Sequence, residues 1–374
     1  MREMHSSKEI TLFLCGDVMT GRGIDQILPH PGEPRIHEPY VKDAKTYVEL
    51  AEERNGLISE PVAFSYIWGD ALDELKRVSP DLRIINLESS ITRSDGYWKG
   101  KGINYRMNPE NIPCLTAAGI DVCALANNHV LDWGYDGLEE TLRTLEKAGI
   151  KKAGAGSDVT TASVPAVVQV PGKGRVMVFS CGLESSGIPA SWAAGENRPG
   201  VNLLPDLSER TLHGIGNRLR RLRRAGDIIV VSIHWGGNWG YNFSREQRDF
   251  AHGLIDSVGV DIIHGHSSHH VMGIEVYRDR PILYGCGDFI NDYEGIGGHE
   301  SFRGDLSLMY FVTMSPAKGR LTGLCMIPTT MRKFRVNRAS RVDAEWLGQT
   351  LNREGKAFGT RVVLKEDAVL DLHW

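Results

Sequence analysis

Two apolar runs in this chain end in histidine, and chemistry could begin there. Ile228–Ile233 runs into His234, and Val258–Ile263 runs into His264, Gly265 and His266. Short β-branched runs bounded by Gly and polar residues predict buried parallel strands. In an open α/β sheet, ligands bind just beyond the carboxyl ends of such strands. A histidine there can hold a metal or move a proton. A single one is more often a hydrogen-bonded structural residue. Two at successive strand ends, one inside the cluster His264, His266, His269 and His270, argue for a site.

Carboxylates and amides follow the same pattern. The run Ile10–Cys15 ends in Gly16 and Asp17, and Leu82–Leu87 is followed by Glu88. Asp121–Ala126 delivers Asn127, Asn128 and His129, with Asp132 three residues on. Asp17 alone could equally cap a turn. Together these residues offer mixed oxygen and nitrogen ligands, which suit a divalent cation.

The elements that must position them are legible in outline. Asp70–Val78 and Gly137–Ala148 have helical spacing, as do Leu207–Arg224 and Asp343–Arg353. Val164–Val170 and Arg175–Cys181, joined by Pro-Gly-Lys-Gly, predict a hairpin. Leu306–Thr313 and Leu321–Thr329 predict further strands. The stretch from about 28 to 80 reads as an irregular insertion or lid, with five prolines from Pro29 to Pro61 (Pro29, Pro31, Pro34, Pro39 and Pro61). Thr92–Asn108 is a polar, glycine-bearing loop carrying Lys101, Tyr105 and Arg106. Such residues could grip a substrate carboxylate and an aromatic side chain. A second glycine-rich loop runs from Asp288 to Glu300 and carries Asp292 and His299. One domain spanning residues 1–374 is expected.

Composition narrows the function classes. Of the 374 residues 24% are charged, and the net charge is −4. With a pI near 6.4 there is no electrostatic case for nucleic acid. No apolar run approaches the ~20 residues that span a bilayer. The N-terminal MREMHSSKEI lacks the apolar segment of a signal peptide, so a cytoplasmic protein with no membrane partner is expected. The six cysteines form no C-x-x-C pair and predict buried free thiols.

The order of these strand-end residues resembles the calcineurin-like metallophosphoesterase pattern. Within that superfamily the segments GDVMTGR, INLESS, ALANNHVLDWG, SIHWG, GHSSH and YGCGDF resemble, in order, the CapA-type family named for poly-γ-glutamate capsule biosynthesis. The resemblance implies an α/β fold in which a two-sheet β sandwich is flanked by helices. It implies a metal site of Asp17, Glu88, Asn128, His234 and His266. Met19 stands where the phosphoesterase pattern has a histidine, and Ser268 stands at the second histidine of Gly-His-x-His. Both positions belong to the same metal of the family's pair. One divalent ion is therefore expected, Mg, Mn or Ca, with Zn less suited, and no organic cofactor.

His129 occupies the family's position for the proton-transferring histidine, with Asp132 placed to hold its tautomer. A second pair is expected from His269 or His299 with Asp288 or Asp292. Arg22, Lys101, Tyr105, Arg106 and Trp235 are the expected substrate-binding residues. Two acid/base groups astride one carbon are what an epimerase needs. The resembled family includes peptide epimerases acting on lasso-peptide precursors. The leading expectation is thus a metal-dependent epimerase with a peptide substrate. The alternatives are a poly-γ-glutamate biosynthesis protein, a phosphoester hydrolase and a metal-stabilised binding module.

Overall fold

The computed structural model describes residues 9–374. Strand Ile10–Val18 lies inside a mixed sheet. Leu82–Leu87, Val122–Ala124 and Lys151–Ala153 follow it in parallel on one side. Leu306–Ser315, Arg320–Arg332, Leu370–His373 and Arg361–Leu364 continue on the other side, antiparallel. A second sheet runs in the order Ile274–Tyr277, Arg280–Leu283, Ile262–His266, Ile228–His234, Gly174–Gly182, Ala166–Val170. Its four central strands are parallel.

The two-residue period of a strand explains why these runs are apolar throughout. Leu12 and Leu14 point into the layer between the sheets, where Val176, Val178, Val230 and Ile262 meet them. Phe13 and Cys15 point the other way, into a core with Trp68, Leu138 and Leu145. On the second sheet Met177, Phe179, Ile229 and Val231 face outward against Leu212, Ile215 and Phe250. The result is helices, sheet, sheet, helices, so the expected two-sheet sandwich flanked by helices is present. Helix Gly134–Lys147 covers the first sheet through Leu138, Leu142 and Leu145. Helices Glu209–Arg220 and Arg245–Gly253 cover the second.

The expected elements recur with shifted ends. The hairpin is Ala166–Val170 with Gly174–Gly182, and the late helix is Arg341–Gly355. That helix does not end the chain, because Arg361–Leu364 and Leu370–His373 follow as a hairpin on the sheet edge. All six cysteines are free thiols. The stretch read as an insertion or lid needs correction. It contains helix Lys45–Asn55 and sends Ile36, Tyr47, Val48, Ala51, Ile58 and Val62 into the core. Its prolines shape the path of the chain, but its apolar residues pack as core does.

Candidate metal and acid–base centre

The carboxyl ends of five strands converge on one place. Asp17 lies on Ile10–Val18, and Asp288 opens the strand Asp288–Ile290 that pairs beside it, the two residues in register. This approach depends on Gly16. A Cβ there would stand 1.8 Å from the Gly287 carbonyl oxygen, so only glycine lets the two backbones meet. Asn86 donates to both Asp17 Oδ1 (2.7 Å) and Glu88 Oε2 (3.0 Å), spacing the two carboxylates. Asn127 ties the next loop to this one. Its Nδ2 donates to Asn86 Oδ1 and Leu87 O, and its Oδ1 accepts from the His129 and Val130 amides. Asn128 and His129 are thereby fixed over Glu88. From the second sheet, His234 and His266 sit opposite each other on neighbouring parallel strands.

The donor set fits a divalent cation. One ligand atom from each of Asp17, His234 and His266 lies within 4.8 Å of the other two. Glu88 Oε1 is 3.7 Å from His234 Nε2, which is 3.1 Å from Asn128 Oδ1. The electrostatics point the same way. Burial lifts the Asp17 carboxyl to about 7, against the bond from Glu88 and with a push from Asp288. Burial and then Asp17 raise Glu88 well above the carboxylate range. Three acids packed this closely repel one another, and a cation would relieve that repulsion. Burial holds His234 and His266 well below the usual imidazole range, which leaves them neutral, the form that binds a metal.

A cavity of about 290 Å³ opens above this floor. His129 and His269 line it, each backed by a buried aspartate. His129 Nδ1 is 2.6 Å from Asp132, and His269 Nδ1 is 2.9 Å from Asp288. The second pair is thus His269 with Asp288, one of the pairings left open by the sequence. Their electrostatics differ. Burial and then Lys101 bring His129 down to about 4, although Asp132 opposes them. For His269 burial also lowers, but Asp288 and Asp17 outweigh it and the net shift is upward.

Lys101 is drawn into this machinery. Its Nζ bonds Asp132 Oδ1 and lies 2.9 Å from His129 Nδ1, with only 14% of the side chain exposed. Asp132 also accepts from the Tyr105 amide (2.6 Å), so the turn that carries it is pinned to the 92–108 loop. The Tyr105 ring packs 4.2 Å from His129, and its hydroxyl meets that of Tyr293 at 2.6 Å. Tyr293 in turn donates to Met19 Sδ at 3.3 Å. Sequence reasoning missed Tyr293, and no local pattern marks it.

Other expected site residues lie elsewhere. Arg22 is 3% exposed, and its guanidinium is taken by Asp292, Glu38 and Tyr47. This places both Arg22 and Asp292 outside the cavity, and among the described residues Asp292 pairs with no histidine. Trp235 is buried against Tyr284, to whose carbonyl it donates at 2.9 Å. Arg106 points away from the cavity and stacks on Trp133 at 3.8 Å. His299 is exposed on its loop and stacks on Trp239 at 4.1 Å, at the rim beside His269.

Comparison with known proteins gives the family. The family model of the bacterial capsule synthesis protein PGA_cap matches residues 11–293. A protein of Mycobacterium tuberculosis named "Probable polyglutamine synthesis accessory protein" is 50% identical, over 97% of this chain and 96% of its own. The "PGA biosynthesis protein CapA" of Bacillus subtilis is 31% identical, over 77% of this chain and 65% of its own. A solved phosphatase structure from Mycoplasma pneumoniae superposes with a TM-score of 0.46 at 11% identity, covering 89% of this chain and 95% of that one, too loose a likeness to bear on function. No helix among the described residues is long and apolar enough to cross a membrane. With its family match running through every strand that delivers the centre, the chain belongs to the bacterial capsule synthesis protein family PGA_cap.

Proposed function

We propose that this protein is a divalent-metal-dependent accessory enzyme of polyglutamyl polymer synthesis, acting on the acidic peptide chain itself. One observation carries the reading. Glu88, Asn128 and His234 share a single cavity with Lys101 and His129, which Asp132 holds from behind, so ligands and proton carriers face one reacting position. The names of the relatives supply the substrate class.

The ligand set would hold the ion through Asp17, Glu88, Asn128, His234 and His266. Once bound, such an ion supplies a Lewis acid that polarises a carbonyl oxygen. The remaining roles belong to the side chains. Asp132 and Lys101 both engage Nδ1 of His129, so its Nε2 is the nitrogen left for the substrate. Neutral His129 takes a proton from the attacking group and returns it to the leaving amine. Lys101 places positive charge on the wall where a substrate carboxylate would lie. Tyr105 and Tyr293, both kept protonated by burial, present neutral hydroxyls to the cavity.

A second reading, inversion at an α-carbon, is favoured by His129 and His269 lining one cavity, each paired with an aspartate behind it. One histidine would remove the α-proton and the other would return one from the opposite side. The leading expectation from the sequence, a lasso-peptide epimerase, gains nothing from the relatives, whose names point to the polymer. Incubating the ion-loaded protein with a glutamyl oligomer separates the readings. Cleavage or transfer changes chain length, whereas inversion leaves length intact and changes chirality.

A further inference from the structure

A second, larger cavity of about 420 Å³ lies on the far side of the 92–108 loop from the metal centre. Its walls are basic and aromatic. Arg106 stacks on Trp133 at 3.8 Å, and the His37 ring stacks on Tyr97 at 3.6 Å. Arg35 and Arg93 stand at its edge, both exposed. Arg93 is paired with Glu110, whereas Arg35 has no acidic partner among the described residues. Glu33 and Asp95 also line the cavity, and Asp95 already binds Arg106 at 3.0 Å.

The cavity is a built one. Buried Asp25 accepts from the Gly32 amide (2.7 Å) and the Asn108 amide (2.8 Å), fixing two facing walls. Arg106 is itself held by the carbonyls of Ser94 and Glu33. Three arginines face two acids in its lining. Burial first, then Arg106, Arg35 and Lys42, depress the pKa of His37, with only Asp95 opposing.

The two cavities share one thin partition. Tyr105 lines the metal-side cavity, and the next residue, Arg106, lines this one. Asp132 holds His129 on the inner side, and the next residue, Trp133, forms the outer wall. The Trp133 indole donates to the Tyr105 carbonyl at 3.1 Å, locking the two layers together. An extended chain whose reacting unit sits at the metal centre would pass over this partition into a cationic, aromatic-walled recess.

We infer that the cavity of Arg35, His37, Arg93, Tyr97, Arg106 and Trp133 is a distal subsite for a carboxylate-bearing segment of the chain bound at the metal centre. This inference rests on the polyglutamyl reading above. A carboxylate would meet Arg35, the arginine left without an acidic partner among the described residues, while the aliphatic parts pack on the His37–Tyr97 and Arg106–Trp133 stacks. The subsite would read chain length, since a longer chain would make contacts there beyond those in the metal-side cavity.

Calorimetric titration of the ion-loaded protein with γ-linked glutamyl dimer and octamer tests this. The wild type should bind the octamer more tightly than the dimer. Arg35→Glu, which breaks no ion pair among the described residues, should weaken octamer binding about five- to tenfold and leave the dimer unchanged. Arg35→Lys should restore most of the loss. The His37 ring resonances should move with octamer and stay still with dimer. Octamer binding that R35E leaves intact, with unmoved His37 resonances, would overturn the subsite and leave the polyglutamyl reading standing. A wild-type protein that binds neither oligomer would overturn both.

Discussion

The Nδ1 atoms of His234 and His266 lie 2.8 Å apart, across two parallel strands in register. Both rings are buried and held neutral, so each carries one lone pair for a cation that would take the place of this close approach. His266 Nε2 is meanwhile held by Ser232 at 2.7 Å, and His234 Nε2 faces Asn128 and Glu88. Two neutral imidazoles beside three buried carboxylates form a donor set ready for a cation.

Replacing His234 with alanine should therefore abolish tight binding of a divalent ion. Losing a partner behind a ligand costs about 10–100-fold in affinity, and losing the ligand itself should cost more. Equilibrium dialysis with elemental analysis of wild type and H234A measures it. An unchanged ion content in H234A would remove His234 from the site.

Ion binding should weaken as the pH falls. The folded pKa of Asp17 is raised to about 7 by burial, and burial and then Asp17 raise Glu88 well above the usual carboxylate range. Below pH 7 these carboxylates hold protons that the ion must displace. Affinity should fall steadily from pH 8 to pH 6, with proton release visible as a buffer-dependent heat. A pH-independent affinity over that range would mean that neither acid is a ligand.

Much of this centre was legible in the chain. Apolar runs ending in His234 and His266, and others followed by Asp17, Glu88 and Asn128, marked strand ends because a doubly buried parallel strand has no polar face to confuse the pattern. What was not legible depends on packing between distant segments. Nothing near Lys101 says that it will reach Asp132, and nothing near Arg22 says that Asp292, 270 residues away, will bury it. Trp235 follows His234, yet alternation turns it toward Tyr284 and away from the cavity. The edge strands Arg361–Leu364 and Leu370–His373 escaped notice because they are short and half polar.

The Arg22–Asp292 pair should matter for stability. Both side chains are almost fully buried. Arg22→Met leaves Asp292 and Glu38 as buried carboxylates without their cation, at a cost of about 3–5 kcal/mol. Urea denaturation of R22M should show that loss, with weaker placement of the neighbouring Tyr293. A midpoint equal to wild type would mean that water already solvates the pair.

Lys101→Met separates orientation from charge. The substitution keeps much of the stem but removes the ammonium beside His129 and Asp132. The His129 pKa, lowered by Lys101 after burial, should rise toward the usual imidazole value. Ring-carbon NMR of His129 in wild type and K101M reads this directly. An unmoved His129 would place Lys101 outside its electrostatic reach.

The most direct measurement of the central claim uses the polymer itself. The ion-loaded protein is incubated with γ-linked glutamyl octamer in deuterium oxide, and mass spectrometry reads chain length and α-carbon deuterium together. The expected result is an ion-dependent change in chain length that disappears in His129→Ala. Deuterium at an α-carbon with length unchanged would instead favour inversion at the same centre. An octamer left intact and unlabelled by protein that has bound its ion would contradict the assignment of this cavity to polyglutamyl chemistry.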